Sequence, residues 1–287
     1  MSALLPGEVH ALIAAALRED IGDGDITAQS FVAPERRAKA TILAKESGIV
    51  AGVAVACAVF RTLDAGIHVT PLLADGAAVH RGDAVMALEG PARSILTAER
   101  TALNFLQRLS GIATQTRRYA DAVAGTRARI LDTRKTTPGW RWLEKQAVRA
   151  GGGTNHRTGL YDMIMVKDNH LSVAGDLAEL QAGINRALAA KPGVRIELEA
   201  DTVEQVRQFL TLHGVEVIML DNMSLDDMRV CVALAHGSGV KLEASGGVTL
   251  ERLPEIAATG VDFISSGALT HSVKALDLSL DFEGTAL

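Results

Sequence analysis

RIELEADTVEQVRQFLTLHGVEVIMLDNMSLDDMRVCVALAHGSGVKLEAS, residues 195–245, decides the fold. Short apolar runs, RIELEA (195–200), VIMLD (217–221) and VKLEAS (240–245), alternate with amphipathic stretches. Thr202 with Gln205 forms a capping box before VEQVRQFL. Ser224 caps the next helix, with Asp226 and Asp227 in its favourable first turn. Strand, helix, strand in this rhythm implies a parallel sheet with right-handed crossovers. Working outward, RILDT (129–133), MIMVKD (163–168) and DFISS (262–266) extend the pattern to six units, two short of a full (β/α)8 barrel. An incomplete barrel and an open doubly wound sheet both fit. No strand is followed by GxGxxG, and GxxxxGK[ST] is absent, so dinucleotide and P-loop sites are not expected.

Before residue 110 the style differs. Residues 38–90 read as short strands separated by Gly/Asp turns, a small, mainly β layer. A helix follows, with Thr97 as its expected N-cap and Leu103, Leu106 and Leu109 on its apolar side. Arg100, Asn104 and Arg108 form a polar stripe whose ordinary fate is a solvated face. The 287 residues are 48% hydrophobic but only 3% aromatic, so the core is aliphatic. The net charge of -5 argues against general nucleic-acid binding. Cys57 and Cys231 lie in apolar runs without metal-ligand spacing, as buried thiols of a reducing compartment would. The sequence shows no signal peptide and no apolar stretch approaching the ~20 residues that span a membrane. The expectation is a cytoplasmic protein. Asp20, Asp23 and Asp25 of EDIGDGDIT lack the Glu that an EF-hand places at position twelve, where Phe31 stands, and are expected to make Asx turns.

In parallel α/β folds, sites form at the C-terminal ends of strands. Those ends carry Thr133, Arg134 and Lys135; Lys167 and Asp168; Glu199; Asp221 and Asn222; Ser245-Gly246-Gly247; and Ser266-Gly267. The first two supply cations, and TNHR between them adds His156 and Arg157. The next two supply carboxylates, the last two small Gly-containing turns. Arginine grips carboxylate or phosphate with two parallel bonds. Carboxylates suit sugar hydroxyls or Mg2+. Gly turns expose backbone N–H groups to phosphate. The set calls for a ligand with acidic groups, hydroxyls and a phosphate.

DTRKTTPGWRWLEKQAVRAGGGTNHRTGLYDMIMVKDNH (132–170) resembles the central signature of the quinolinate phosphoribosyltransferase family. ALREDIGDGDIT, ERTALNFLQRLSGIAT, IELEAD, VIMLDNMS, LEASGGVTLERLPEIAATGVDFISSGALTH and ALDLSLDF resemble it in the same order. The resemblance covers nearly the whole chain. It implies an N-terminal open α/β sandwich (1–113), an incomplete TIM-like α/β barrel (114–274) and a tail (275–287) that returns to the first domain. It implies that phosphoribosyl is transferred from 5-phosphoribosyl 1-diphosphate to quinolinate with decarboxylation and with Mg2+ as cofactor. Arg134, His156, Arg157 and Lys167 would surround quinolinate, with Thr133 among the substrate-binding residues. Lys135 would face the diphosphoribosyl group. Glu199 and Asp221 would lie near the ribose and hold Mg2+; Glu199 is preferred to Glu197 by the match and by its place at the strand end. Lys135, Lys167, Glu199 and Asp221 would be the catalytic set. Ser245, Gly246, Gly247, Ser266, Gly267 and Ala268 would bind phosphate through backbone N–H groups. The glycines 151–153 would make a turn or let the following loop close. A homodimer or dimer-based hexamer would bring Arg100 into the neighbouring subunit's site. Two other enzymes fit less of the sequence: a molybdenum-transport-associated paralogue, and a class I aldolase-type barrel using Lys167 as a Schiff base. ADGAAVHRGDAVMALEG has the turns of a biotinyl or lipoyl carrier domain but no lysine to carry a cofactor.

Overall fold

The computed structural model describes residues 5–167 and 176–284. By its internal contacts the chain forms two compact units: Met1–Arg117 with Thr137–Gly152 and Ser272–Leu287, and Arg118–Thr136 with Gly153–His271. Asp168 lies outside the described residues.

In the first unit, helices α1 (Gly7–Ile21) and α2 (Ile26–Phe31) precede strand β1 (Arg37–Ala44). Asp25 caps α2, accepting from the Ala28 N–H at 2.8 Å. The short β2 (Gly48–Ile49) pairs with β4 (Ala78–Val79). Strands β3 (His68–Pro71) and β5 (Ala84–Pro91) pair antiparallel, and β5 also pairs with β1. The expected run of strands is interrupted by helix α3 (Val53–Leu63). Its valines favour strands locally, but six of its eleven residues are buried, Val53, Val55, Ala56, Cys57, Val59 and Phe60. Tertiary burial overrides that weak preference. Helix α4 (Ala92–Ala122) starts earlier than expected, directly after Pro91. Thr97 is therefore no N-cap: its hydroxyl donates to the Arg93 carbonyl at 2.9 Å and meets Asp25 at 2.9 Å. The 113/114 boundary falls inside this 31-residue helix.

Helix α5 (Arg141–Ala150) also packs within the first unit. Trp140 before it stacks on Phe105 of α4, ring centroids 4.6 Å apart. Gly151 approaches α4 so closely that a Cβ there would lie 2.4 Å from the Ala113 carbonyl oxygen.

The second unit holds a six-stranded sheet: β6 (Arg129–Leu131), β7 (Ile164–Val166), β8 (Ile196–Ala200), β9 (Val217–Asp221), β10 (Lys241–Ser245) and β11 (Phe263–Ser265). The order is β6-β11-β10-β9-β8-β7, and every pair is parallel. The last strand therefore lies beside the first, as in a barrel. Between β6 and β7 no ladder forms among the described residues. Thr154 forms a one-residue parallel bridge to Leu131 on that open side of β6. All five residues of β8 are buried, as expected where both faces of a parallel strand are covered. Helices α6 (Leu177–Ala190), α7 (Val203–Phe209), α8 (Leu225–Ala235), α9 (Leu253–Ala257) and α10 (Ala268–His271) complete the unit. The Thr202/Gln205 capping box and the Ser224 cap are both present.

The chain then returns to the first unit, where β12 (Leu278–Phe282) pairs antiparallel with β1. The Gln107 side chain donates to the Leu278 carbonyl at 2.8 Å. Gly111 admits this segment, since a Cβ there would sit 2.2 Å from the Lys274 carbonyl oxygen.

Candidate active site

Within the second unit, the C-terminal strand ends carry the expected cations, carboxylates and small turns. After β6, Thr133 accepts from the Lys135 N–H at 3.0 Å, a local turn that leaves the Lys135 side chain exposed. The Lys135 carbonyl accepts from the Thr270 hydroxyl of α10 at 2.7 Å. Gly267 leaves room for the Lys135 stem: a Cβ there would lie 2.8 Å from Lys135 Cδ.

Arg134 and Arg157 are neighbours in charge. Arg157 is 9% exposed, and its guanidinium donates to the Met163 carbonyl at 3.4 Å. Burial, then the Arg134 charge, depresses its pKa. The Glu197 and Asp162 charges offset part of this repulsion. Asp162 braces the following turn, accepting from the Thr158 N–H at 2.6 Å and the Gly159 N–H at 3.0 Å. Its own burial opposes ionisation, yet these bonds leave its pKa lowered.

Lys167, beyond β7, forms an ion pair with Glu199 of β8. The lysine side chain is 43% exposed and the carboxylate 8%. A Schiff-base lysine works desolvated and uncharged, so this wet, carboxylate-bound setting disfavours the aldolase reading. Asp221, at the end of β9, accepts from the Asn222 side-chain amide at 2.8 Å. Asn222 is left-handed, φ 54°, and its backbone N–H donates to the Ser245 carbonyl at 2.9 Å. Gly246 is obligatory here: a Cβ would fall 2.1 Å from the Asn222 side-chain oxygen.

Two expected roles need adjustment. The backbone N–H of Ser266 donates to the Leu131 carbonyl at 3.1 Å, so it is spent on joining β11 to β6 rather than offered to phosphate. Gly267 and Ala268 open α10 and remain the phosphate-facing candidates of that turn, with Ser245, Gly246 and Gly247 across from them on the preceding strand end. His156 does not turn its ring nitrogens toward the cations. Its Nε2 lies 3.0 Å from a Glu197 oxygen and 3.4 Å from a Glu243 oxygen, and its Nδ1 accepts from the Arg157 N–H at 2.7 Å. Burial disfavours an imidazolium here, but bonding to the two carboxylates and their charges outweighs it, raising the pKa to about 9. Burial and then the Glu243 charge push Glu197 up as well, against His156 and Arg157. Of the residues that hold this loop, Asp132, Asn155 and Glu243 were not singled out from sequence, and Glu197 was set aside in favour of Glu199. Their signal was present: Glu197 and Glu243 are acids in the interior of short parallel strands, where both faces are covered. In the first unit, Arg108 also leaves the expected solvated stripe, reaching the fully buried Glu144 at 3.6 Å, while Arg100 and Asn104 stay exposed.

Family models of quinolinate phosphoribosyl transferase match the chain, the N-terminal domain over residues 25–110 and the C-terminal domain over 112–281. A Bacillus subtilis protein described as a probable nicotinate-nucleotide pyrophosphorylase (carboxylating) is 48% identical over 92% of this chain and 89% of its own length. The chloroplastic rice protein of the same description is 43% identical over 96% of this chain and 78% of its own. The nicotinate-nucleotide pyrophosphorylase structure from Francisella tularensis superposes with a TM-score of 0.90 at 39% identity, covering 98% of both chains.

Proposed function

The chain belongs to the quinolinate phosphoribosyl transferase family, and we propose that it joins quinolinate to 5-phosphoribosyl 1-diphosphate, giving nicotinate mononucleotide, pyrophosphate and CO2. The observation that carries this reading is that Arg134 lies near enough to the largely buried Arg157 for its charge to lower the Arg157 pKa, a pair of cations that suits a dicarboxylate.

Arg134, Arg157 and Lys167 take the two carboxylates and orient the pyridine nitrogen toward C1 of the ribose. Lys135 offsets charge on the departing pyrophosphate, and the Glu199 and Asp221 carboxylates favour the positive charge that develops on the sugar. Once the nitrogen is alkylated, its charge stabilises the carbanion left as the adjacent carboxylate departs as CO2. No side-chain nucleophile is needed; positioning and electrostatics suffice. Glu199 and Asp221 fit Mg2+ by donor chemistry, hard carboxylate oxygens at the ends of two paired strands. When bound, the ion neutralises diphosphate charge. The two buried thiols fit a cytoplasmic setting.

We extend the reading to a homodimer in which Arg100, exposed on α4, completes the partner's cation set. Arg100→Ala and Lys135→Ala should each be nearly inactive. A mixed dimer has one doubly mutated site and one intact site, so exchange should restore up to about half the wild-type activity per heterodimer under two-fold symmetry. Confirmed exchange without recovery would remove Arg100 from the site.

The reaction is tested by incubating purified protein with quinolinate, 5-phosphoribosyl 1-diphosphate and Mg2+ and following products. Equal yields of nicotinate mononucleotide, pyrophosphate and CO2 are expected. Turnover of neither substrate would refute the assignment.

A further inference from the structure

Beneath the cationic rim lies a buried cluster of different sign. Glu197 of β8 and Glu243 of β10 are each 1% exposed and converge on one nitrogen of His156, at 3.0 and 3.4 Å. Asp132, fully buried, accepts from the His156 N–H at 2.8 Å and from the Asn155 side chain at 2.6 Å. Thr154, just before them, bridges to Leu131. Segment 154–157 is therefore pinned to β6 through its backbone and to β8 and β10 through one ring. Arg157 is the next residue after that ring, and its own N–H is bonded to it.

We propose that Glu197 and Glu243 are positioning residues that clamp the His156 ring and thereby set the Arg157 guanidinium for the quinolinate carboxylate. The proposal rests on the quinolinate reading of the rim. Nδ1 accepts a hydrogen bond, so in the neutral ring the proton is assigned to Nε2, where it meets the carboxylates. Stability alone gives little reason to keep such a cluster, because buried ionic groups are often replaced by neutral isosteres without loss. A fixed ring beside a substrate-binding arginine gives one. The three side chains could also gather a cation, since their ligand atoms lie within 4.8 Å of one another. The 3.0 Å His156–Glu197 ion pair and the nearby Arg157 charge offset the carboxylate charge from within the protein, while both Glu197 oxygens and one Glu243 oxygen make no hydrogen bond among the described residues.

The test is kinetic and spectroscopic. In Glu197→Gln and Glu243→Gln, which keep the side-chain shape, the KM for quinolinate should rise about ten- to a hundredfold, the cost of a misplaced binding group. The KM for 5-phosphoribosyl 1-diphosphate should stay within about twofold, since the other substrate's contacts are untouched. Glu243→Asp, which retains the charge, should recover part of the loss. In an Arg157→Lys background, Glu243→Gln should add no further rise, because the effect passes through Arg157. Histidine 15N NMR of the wild type taken above about pH 9, where the ring is neutral, should show His156 with Nδ1 unprotonated, and either Gln variant should lose that single state. Thermal melts identify folded variants; if a Gln variant does not fold, Glu243→Asp and the wild-type spectrum carry the test. An unchanged quinolinate KM in a folded Gln variant overturns the proposal. So does an equal rise for both substrates, or one equivalent of metal that copurifies with wild type and is lost in Glu243→Gln. If wild type fails to turn over quinolinate, the reading of the rim fails, while the NMR still reports whether the clamp exists.

Discussion

The two ends of the parallel sheet treat charge in opposite ways. At the N-terminal ends, Arg127 and Lys241 converge on Asp262, which also accepts from the Leu242 N–H at 3.0 Å. These two cations share one anion supplied by the fold. At the C-terminal ends, Lys167 pairs with Glu199, but the Arg134 charge acts on Arg157, which is nearly buried. The first end is held by internal ion pairs; the second gathers like charges that suit an anionic ligand. This is the division expected of (β/α) barrels, with stability at one face and chemistry at the other.

The comparison breaks if charge removal acts alike at both ends. The largest effect is expected from Lys135→Ala, which should lower kcat about a hundred- to a thousandfold in steady-state assays, the usual loss when a charge-stabilising donor is removed. Arg157→Ala should weaken quinolinate binding about a hundredfold, because a carboxylate loses its partner in a desolvated place. Asp262→Asn should leave both kinetic constants unchanged and cost about 1–2 kcal/mol in denaturant unfolding, with partial exposure of its cationic partners limiting the loss.

pH sharpens the contrast further. The His156 pKa is raised from 6.5 to about 9, so the native state binds more protons than the unfolded chain between those values. Its stabilisation is full below 6.5 and fades as pH climbs through about 9. Asp262 is depressed below 3.8 because bonding to Arg127 and Leu242 outweighs its burial. Its stabilisation is present above 3.8 and is lost as pH falls through the lower native value. Thermal melts should show His156→Gln flattening the alkaline arm and Asp262→Asn the acid arm.

Much of the second unit was legible because a parallel strand bounded by helix caps leaves a local trace. VIMLD matches β9 at both ends, and the Thr202 and Ser224 caps mark helix starts through bonds between residues three apart. What could not be read locally was decided by distant partners. Helix α3 carries a valine-rich run whose helical state depends on burial. Helix α5 lies between two site motifs in sequence yet packs on α4. Glu197 and Glu199 share an alternation and a chemistry, and depth separates them: Glu199 meets the half-exposed Lys167, Glu197 the buried His156. A histidine beside an arginine suggested a substrate ligand, but carboxylates from two other strands claimed its ring. The rim was recognisable from strand ends and family motifs; the layer beneath it needed the folded sheet.

The central claim is that Arg134 and Arg157 form a seat for two carboxylates. Isothermal titration of quinolinate and of nicotinate into the wild-type protein tests it without turnover. Quinolinate should bind at least about a hundredfold more tightly, since a monocarboxylate leaves a largely buried cation without its anion. Equal affinities would contradict the account.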